Sequence, residues 1–159
     1  MRDELLRLIE NNSRIDIKEL SKMLNISEVE VLNELSALEK ENIICGYFTL
    51  IDWEKTSVEK ITALIEVRVT PQRGQGFDRI AERVYNYPEV KSVYLISGGY
   101  DLLVILEEKS LREIASFVSD KLSTIESVLS TATHFILKKY KDMGTVMEKR
   151  HIDEREAFS

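Results

Sequence analysis

VKSVYLISGGYDLLVILEE, Val90 to Glu108, contains two apolar runs parted by SGGYD at Ser97–Asp101. The second run, Leu102, Leu103, Val104, Ile105 and Leu106, is apolar at every position. Two strands joined through Gly98-Gly99 is the direct reading. Working outward, GFDRIAERVYNYP places Phe77, Ile80, Ala81, Val84 and Tyr85 on one face of a helix that Pro88 closes. Before it, ITALIEVRVTP alternates Ala63, Ile65, Val67 and Val69 with Thr62, Glu66 and Arg68, the period of a half-buried strand, until Pro71 stops it; QRGQG is a loop. Downstream, SLREIASFVSDKL is an amphipathic helix N-capped by Ser110, and SVLSTATHFILKKY is a fourth strand. The order is strand, helix, strand, strand, helix, strand, the ferredoxin-like βαββαβ arrangement. Two helices cover one sheet face. The apolar run at 102–106 calls for cover on the other face as well, and a second sheet is the simplest supply.

The first 45 residues follow a helical pattern. Leu5, Leu6, Leu8 and Ile9 share one face of a first helix that Asn11-Asn12 stops. Asp16 and Glu19 cap a short second helix with Ile17, Leu20, Met23 and Leu24 turned inward, and Asn25 ends it. Ser27 and Glu30 form a capping box for a third, whose buried stripe is Val31, Leu32, Leu35 and Leu38. Short helices meeting across LNIS read either as a DNA-binding helix-turn-helix, with the third helix entering a major groove, or as a plain three-helix bundle. The fold class expected for the whole is α+β: a three-helix, winged-type helix-turn-helix followed by a ferredoxin-like domain. Residues 46–60, with GYFTLIDW, read as an extended linker strand, 61–142 as the sheet domain and 143–159 as a charged tail.

Composition narrows the function. The 159-residue chain is 31% charged, and no apolar run approaches the roughly 18 residues that span a bilayer. With acids in its first turn, MRDELLRLIENN resembles neither a secretory signal nor a transit peptide, so a cytoplasmic protein without membrane contact is expected. Net charge is -6, against a non-specific electrostatic grip on nucleic acid but not against a local reading surface. Cys45, in IICGY, reads as a small buried thiol. His134 and His151 stand apart with no metal-ligand spacing, and no catalytic set is evident, so neither metal nor enzyme activity is expected.

LSKMLNISEVEVLNELSALEKENIICGY, VTPQRGQGFDRIAERV, VKSVYLISGGYDLLV and STATHFILKKY, in this order, resemble the Lrp/AsnC (feast/famine) family of transcription regulators over almost the whole chain. The resemblance implies an N-terminal helix-turn-helix that binds double-stranded DNA. It also implies a C-terminal RAM domain that forms homodimers, assembles further to octamers, and binds an amino acid or related metabolite between subunits, with no other cofactor. It places Gly98, Gly99, Tyr100 and Asp101 at the effector site, with Thr131, Thr133 and His134 as a second wall. Glycines let a backbone approach a ligand closely and a carboxylate suits an ammonium. A hairpin turn whose Asp101 satisfies turn amides accounts for the same residues. Alternation puts Thr131 and Thr133 on one strand face and His134 on the other. On the third helix, Ser27, Glu28, Glu30, Val31 and Asn33 are the base-reading candidates, and Arg14, Lys18 and Lys22 the backbone-holding ones. Residues 1–45 hold six basic and ten acidic side chains, a net of -4, so the alternative is an acidic head that binds a protein partner.

Overall fold

The computed structural model describes residues 1–70, 73–74 and 76–147, which fall into two compact units, Met1–Leu50 and the described residues from Ile51 onward. Pro71, both glutamines of the QRGQG loop, Gln72 and Gln75, and the tail EKRHIDEREAFS, with His151, lie outside the described residues.

The first unit is α1 (Arg2–Asn11), α2 (Ile17–Leu24) and α3 (Glu28–Lys40). Both ends of α2 and the start of α3 have local causes. Asp16 accepts a hydrogen bond from the Lys18 amide at the start of α2. Asn25, at φ 54°, closes α2 in the left-handed conformation that Asn tolerates. Ser27 and Glu30 complete a reciprocal capping box on α3. Leu5, Leu20, Val31 and Leu38 are buried at the centre, one or two from each helix, and Leu6, Ile9, Ile17, Leu24 and Leu35 pack around them. Each such aliphatic contributes roughly 1.5–3 kcal/mol of burial. No strand follows α3 in this unit, so the expected wing is not formed by this chain. Residues 46–60 do not pair as a strand in any sheet of the chain either. A strand needs a ladder partner, and the segment instead turns through a short 3-10 helix at Trp53–Lys55. Cys45 is exposed rather than buried, its Sγ donating to the Asn42 carbonyl at 3.2 Å.

The second unit carries β1 (Ile61–Val69), α4 (Asp78–Tyr85), β2 (Val90–Leu95), β3 (Leu102–Glu108), α5 (Leu111–Phe117, continued by a π-helical turn over Val118–Leu122) and β4 (Val128–Phe135). The sheet is antiparallel in the order β2-β3-β1-β4, the split βαβ arrangement. Ser110 N-caps α5 by accepting from the Glu113 amide. Ala63, Ile65 and Val67 on β1 and Leu102, Val104 and Leu106 on β3 have no exposure, and they pack against Ile80, Val84, Ile114, Phe117 and Leu122. Cross-strand pairing puts Leu64 beside Ile105 and Glu66 beside Leu103 on the opposite face, where these residues are half-buried and Tyr94 is exposed. β4 ends at Phe135, earlier than the sequence pattern, and a small hairpin follows: β5 (Lys141–Asp142) and β6 (Thr145–Val146), turned by Met143 and Gly144 at φ 46° and 78°.

Candidate functional site

The first candidate is the outer surface of α3. Val29, Asn33, Ser36 and Lys40 follow at spacings of four, three and four residues, which on a helix of 3.6 residues per turn is a single line along its length. Val29 is 65% exposed and Leu32, beside the line, 52%. Val31 has no exposure and belongs to the core, so it cannot touch a base; its place near the helix start had made it a candidate. Two further candidates are occupied. The Ser27 amide and hydroxyl donate to Glu30 Oε2 at 2.8 and 2.7 Å, and these bonds hold the Glu30 carboxyl below the usual carboxylate range. Glu28, Asn33, Arg14, Lys18 and Lys22 are exposed.

The acids of α3 lie beside the line rather than on it, and most are engaged. Arg2 donates through Nη1 and Nη2 to Glu41 at 2.8 and 3.0 Å, and through Nε to Glu34. The hydrogen bond from Arg2 depresses the Glu41 pKa, and the two carboxylates raise that of Arg2. Tyr47 Oη donates to Glu39 at 2.8 Å; desolvation, then this acceptor, pushes the tyrosine pKa up. The sequence composition counted these acids but could not say where they pointed or what held them.

The second candidate surrounds the connection from β2 to β3. The Ile96 amide donates to the Asp101 carbonyl at 2.8 Å and the Asp101 amide to the Val67 carbonyl at 3.0 Å. Asp101 Oδ2 accepts from the Val69 amide at 2.9 Å. This carboxylate therefore serves the backbone where the β1–β4 register shifts between Arg68 and Val69. Gly98 and Gly99 do not adopt positive φ, in contrast to Gly74, Gly76 and Gly144. A Cβ on Gly98 would meet only Ile96 Cγ2 at 3.9 Å, and one on Gly99 nothing within 4 Å. Among the described residues nothing demands glycine at either place.

Gly99, Tyr100 and Thr131 line a depression of ≈ 310 Å³ together with Glu66, Arg68, Ser130 and Ala132. Gly98, Asp101, Thr133 and His134 are not among its walls. Thr131 and Thr133 pair with Val67 and Ile65 on the helix-covered side of the sheet, whereas His134 stands opposite Leu64 on the other side. There His134 Nε2 lies 3.2 Å from Glu66 Oε2. Glu66 and Arg68 were legible only as the outward half of an alternating strand; their nearness to the hairpin depends on β1 sitting between β3 and β4. The lining of the depression thus includes a carboxylate, a guanidinium, the hydroxyl-bearing residues Tyr100, Ser130 and Thr131 and an open backbone, the donor and acceptor set for a small zwitterion.

The family model for the Lrp/AsnC ligand binding domain matches residues 62–146. An uncharacterized HTH-type transcriptional regulator of Bacillus subtilis, YugG, is 51% identical over 153 residues, covering 96% of this chain and 92% of its own length. A proline dehydrogenase transcriptional activator of Rhodobacter capsulatus is 26% identical, covering 80% and 82%. Among solved structures, a transcriptional regulator of Neisseria meningitidis in complex with L-methionine superposes with a TM-score of 0.71 at 25% identity, covering 91% and 93%. Escherichia coli AsnC gives 0.65 at 17% identity, covering 87% and 91%, a likeness of fold. With the helix-turn-helix and split βαβ sheet described above, these matches establish that the chain belongs to the Lrp/AsnC family of helix-turn-helix transcriptional regulators.

Proposed function

We propose that this regulator senses an α-amino acid in the depression bounded by Glu66, Arg68, Gly99, Tyr100 and Thr131, and that occupancy alters assembly and DNA affinity. The observation that carries the reading is the presence of both Glu66 and Arg68 in the lining of one depression. Arg68 can take the α-carboxylate in a two-point contact and Glu66 the ammonium, while the bare backbone of Gly99 leaves room for close approach. Asp101 acts by positioning, because its carboxylate is engaged with Val69. The relative solved with L-methionine supports an amino acid as the class of ligand.

In this reading residues 1–45 form the DNA-binding head, 46–60 the linker and 61–142 the sensing and assembly domain, and the protein works in the cytoplasm. The homodimer forms by apposition of the sheet faces carrying Leu64, Leu103, Ile105 and Tyr94. Further assembly to an octamer uses exposed apolar residues such as Leu137 and Met143, 92% and 86% exposed. A pocket at a subunit boundary couples ligand to assembly whenever the ligand binds two assembly states unequally. No described helix is long and apolar enough to cross a membrane, and the relatives it resembles are named as a transcriptional regulator and a transcriptional activator.

Calorimetric titration of the full chain with each of the common amino acids tests the proposal. One or a few should bind, with Arg68→Ala and Glu66→Gln each lowering affinity about tenfold or more, the loss of one charge-assisted contact at roughly 1.5–3 kcal/mol. Failure of every amino acid to bind, or binding indifferent to both substitutions, would sink it.

A further inference from the structure

We propose that α3 reads A·T base pairs by touching thymine methyl groups with Val29 and Leu32 and adenine with Asn33, instead of gripping guanine or phosphate with basic side chains. The inference rests on the DNA-binding reading and adds what is read. Its first support is the composition of the outward line, Val29, Asn33, Ser36 and Lys40: one base at its C-terminal end, no acid, and two apolar side chains in or beside it that are more than half exposed. On a helix that buries Val31 and Leu38 completely and Leu35 in part, two apolar side chains turned outward offer an apolar strip to a partner surface. The thymine C5-methyl is the apolar feature of the major groove, and Asn is the side chain that pairs two-fold with adenine N6 and N7. Guanine, read chiefly by Arg or Lys at O6 and N7, has no counterpart along the line before Lys40.

The second support is the treatment of the acids. Glu28 and Glu39 fall to one side of the line and Glu30, Glu34 and Glu41 to the other, each roughly 90° or more round the helix. Glu34 and Glu41 are bound by Arg2, Glu39 by Tyr47, and Glu30 by the cap of its own helix. Arg2 offsets part of the charge on the Glu34/Glu41 flank, the hydrogen bonds hold Glu30 and Glu39 in place beside the line, and Lys40 is the single base on the reading surface. The helix that looks too acidic for DNA by composition presents an acid-free, partly apolar strip.

Selection of duplexes from a random pool by the full-length protein at low salt, followed by replacement of each dT in the selected motif with dU, tests this. Motifs rich in A·T steps are expected, each lost methyl at a contacted position weakening binding about fourfold, the factor for roughly 0.8 kcal/mol per buried methyl. Val29→Ser, at an exposed position, should bind the dT motif as wild type binds its dU counterpart and show no dT/dU difference at one position. Asn33→Ala should relax selection at one adenine. Motifs read through G·C, indifference to dU, or a methyl effect surviving in both Val29→Ser and Leu32→Ser would overturn this proposal while leaving DNA binding intact. Failure to enrich any duplex would overturn the DNA-binding reading itself, and would give the strip to a protein partner.

Discussion

Asp101 shows how one side chain can look like a ligand contact and hold a fold. Its Oδ2 takes the amide of Val69, a residue only 6% exposed at the point where the register of β1 against β4 slips. Asp101→Ala would leave that amide without an acceptor, so denaturant unfolding should show a loss of about 1–3 kcal/mol. Asp101→Asn keeps an acceptor oxygen and should recover most of the stability. If Asn also preserves amino-acid binding in the same titration, the role is positioning; if Asn restores stability but not binding, the carboxylate touches the ligand. The sequence offered both roles for this residue, and it could not choose because the Val69 amide lies 32 positions away.

At the scale of elements, α3 depends on its first turn. Ser27→Ala removes the hydroxyl that accepts from the Glu30 amide at 3.2 Å and donates to its carboxylate, at a cost of about 1 kcal/mol. The same bonds depress the Glu30 pKa, so their share of stability is present above the ordinary carboxylate pKa and is lost as pH falls through the lower folded value. Thermal melts between neutral pH and pH 3 should therefore show the gap between wild type and Ser27→Ala narrowing as the pH drops; a constant gap would mean that Glu30 takes no part. The capping box was legible in S-x-x-E, as were the three helices and the inward halves of β1 and β3, because cap residues and periodicity are local signals. What was not legible depended on distant pairing. Arg2 reaching Glu34 and Glu41, the closeness of Glu66 and Arg68 to Tyr100, and the exposure of Cys45 all follow from how the elements pack. The β5–β6 hairpin was missed because its turn, Met143-Gly144, lacks the usual Asn or Asp before glycine.

For the whole molecule, the decisive surface is the sheet face away from α4 and α5. Leu64, Leu103 and Ile105 form its apolar centre, with Tyr94 51% exposed beside them, while the Glu66–His134 contact and the Lys60–Glu107 ion pair border it. A lone monomer leaves this apolar centre partly wet, whereas the proposed apposition of two copies would remove it from water at roughly 25 cal/mol per Å². Ile105→Lys should leave the monomer's fold intact, since its side chain points away from the core formed by Val104 and Leu106. It would place an unpaired ammonium within the covered face at a cost of roughly 3 kcal/mol or more, enough to raise the dimer dissociation constant a hundredfold. Light scattering across a dilution series should find the wild type dimeric or larger where the variant is monomeric. Because the depression at Glu66 and Arg68 opens on the same face, the variant should also lose the response of DNA binding to amino acids, even where the head still binds weakly as a single unit. A variant that remains dimeric would place the assembly surface elsewhere, with the exposed Leu137 and Met143 the next residues to test.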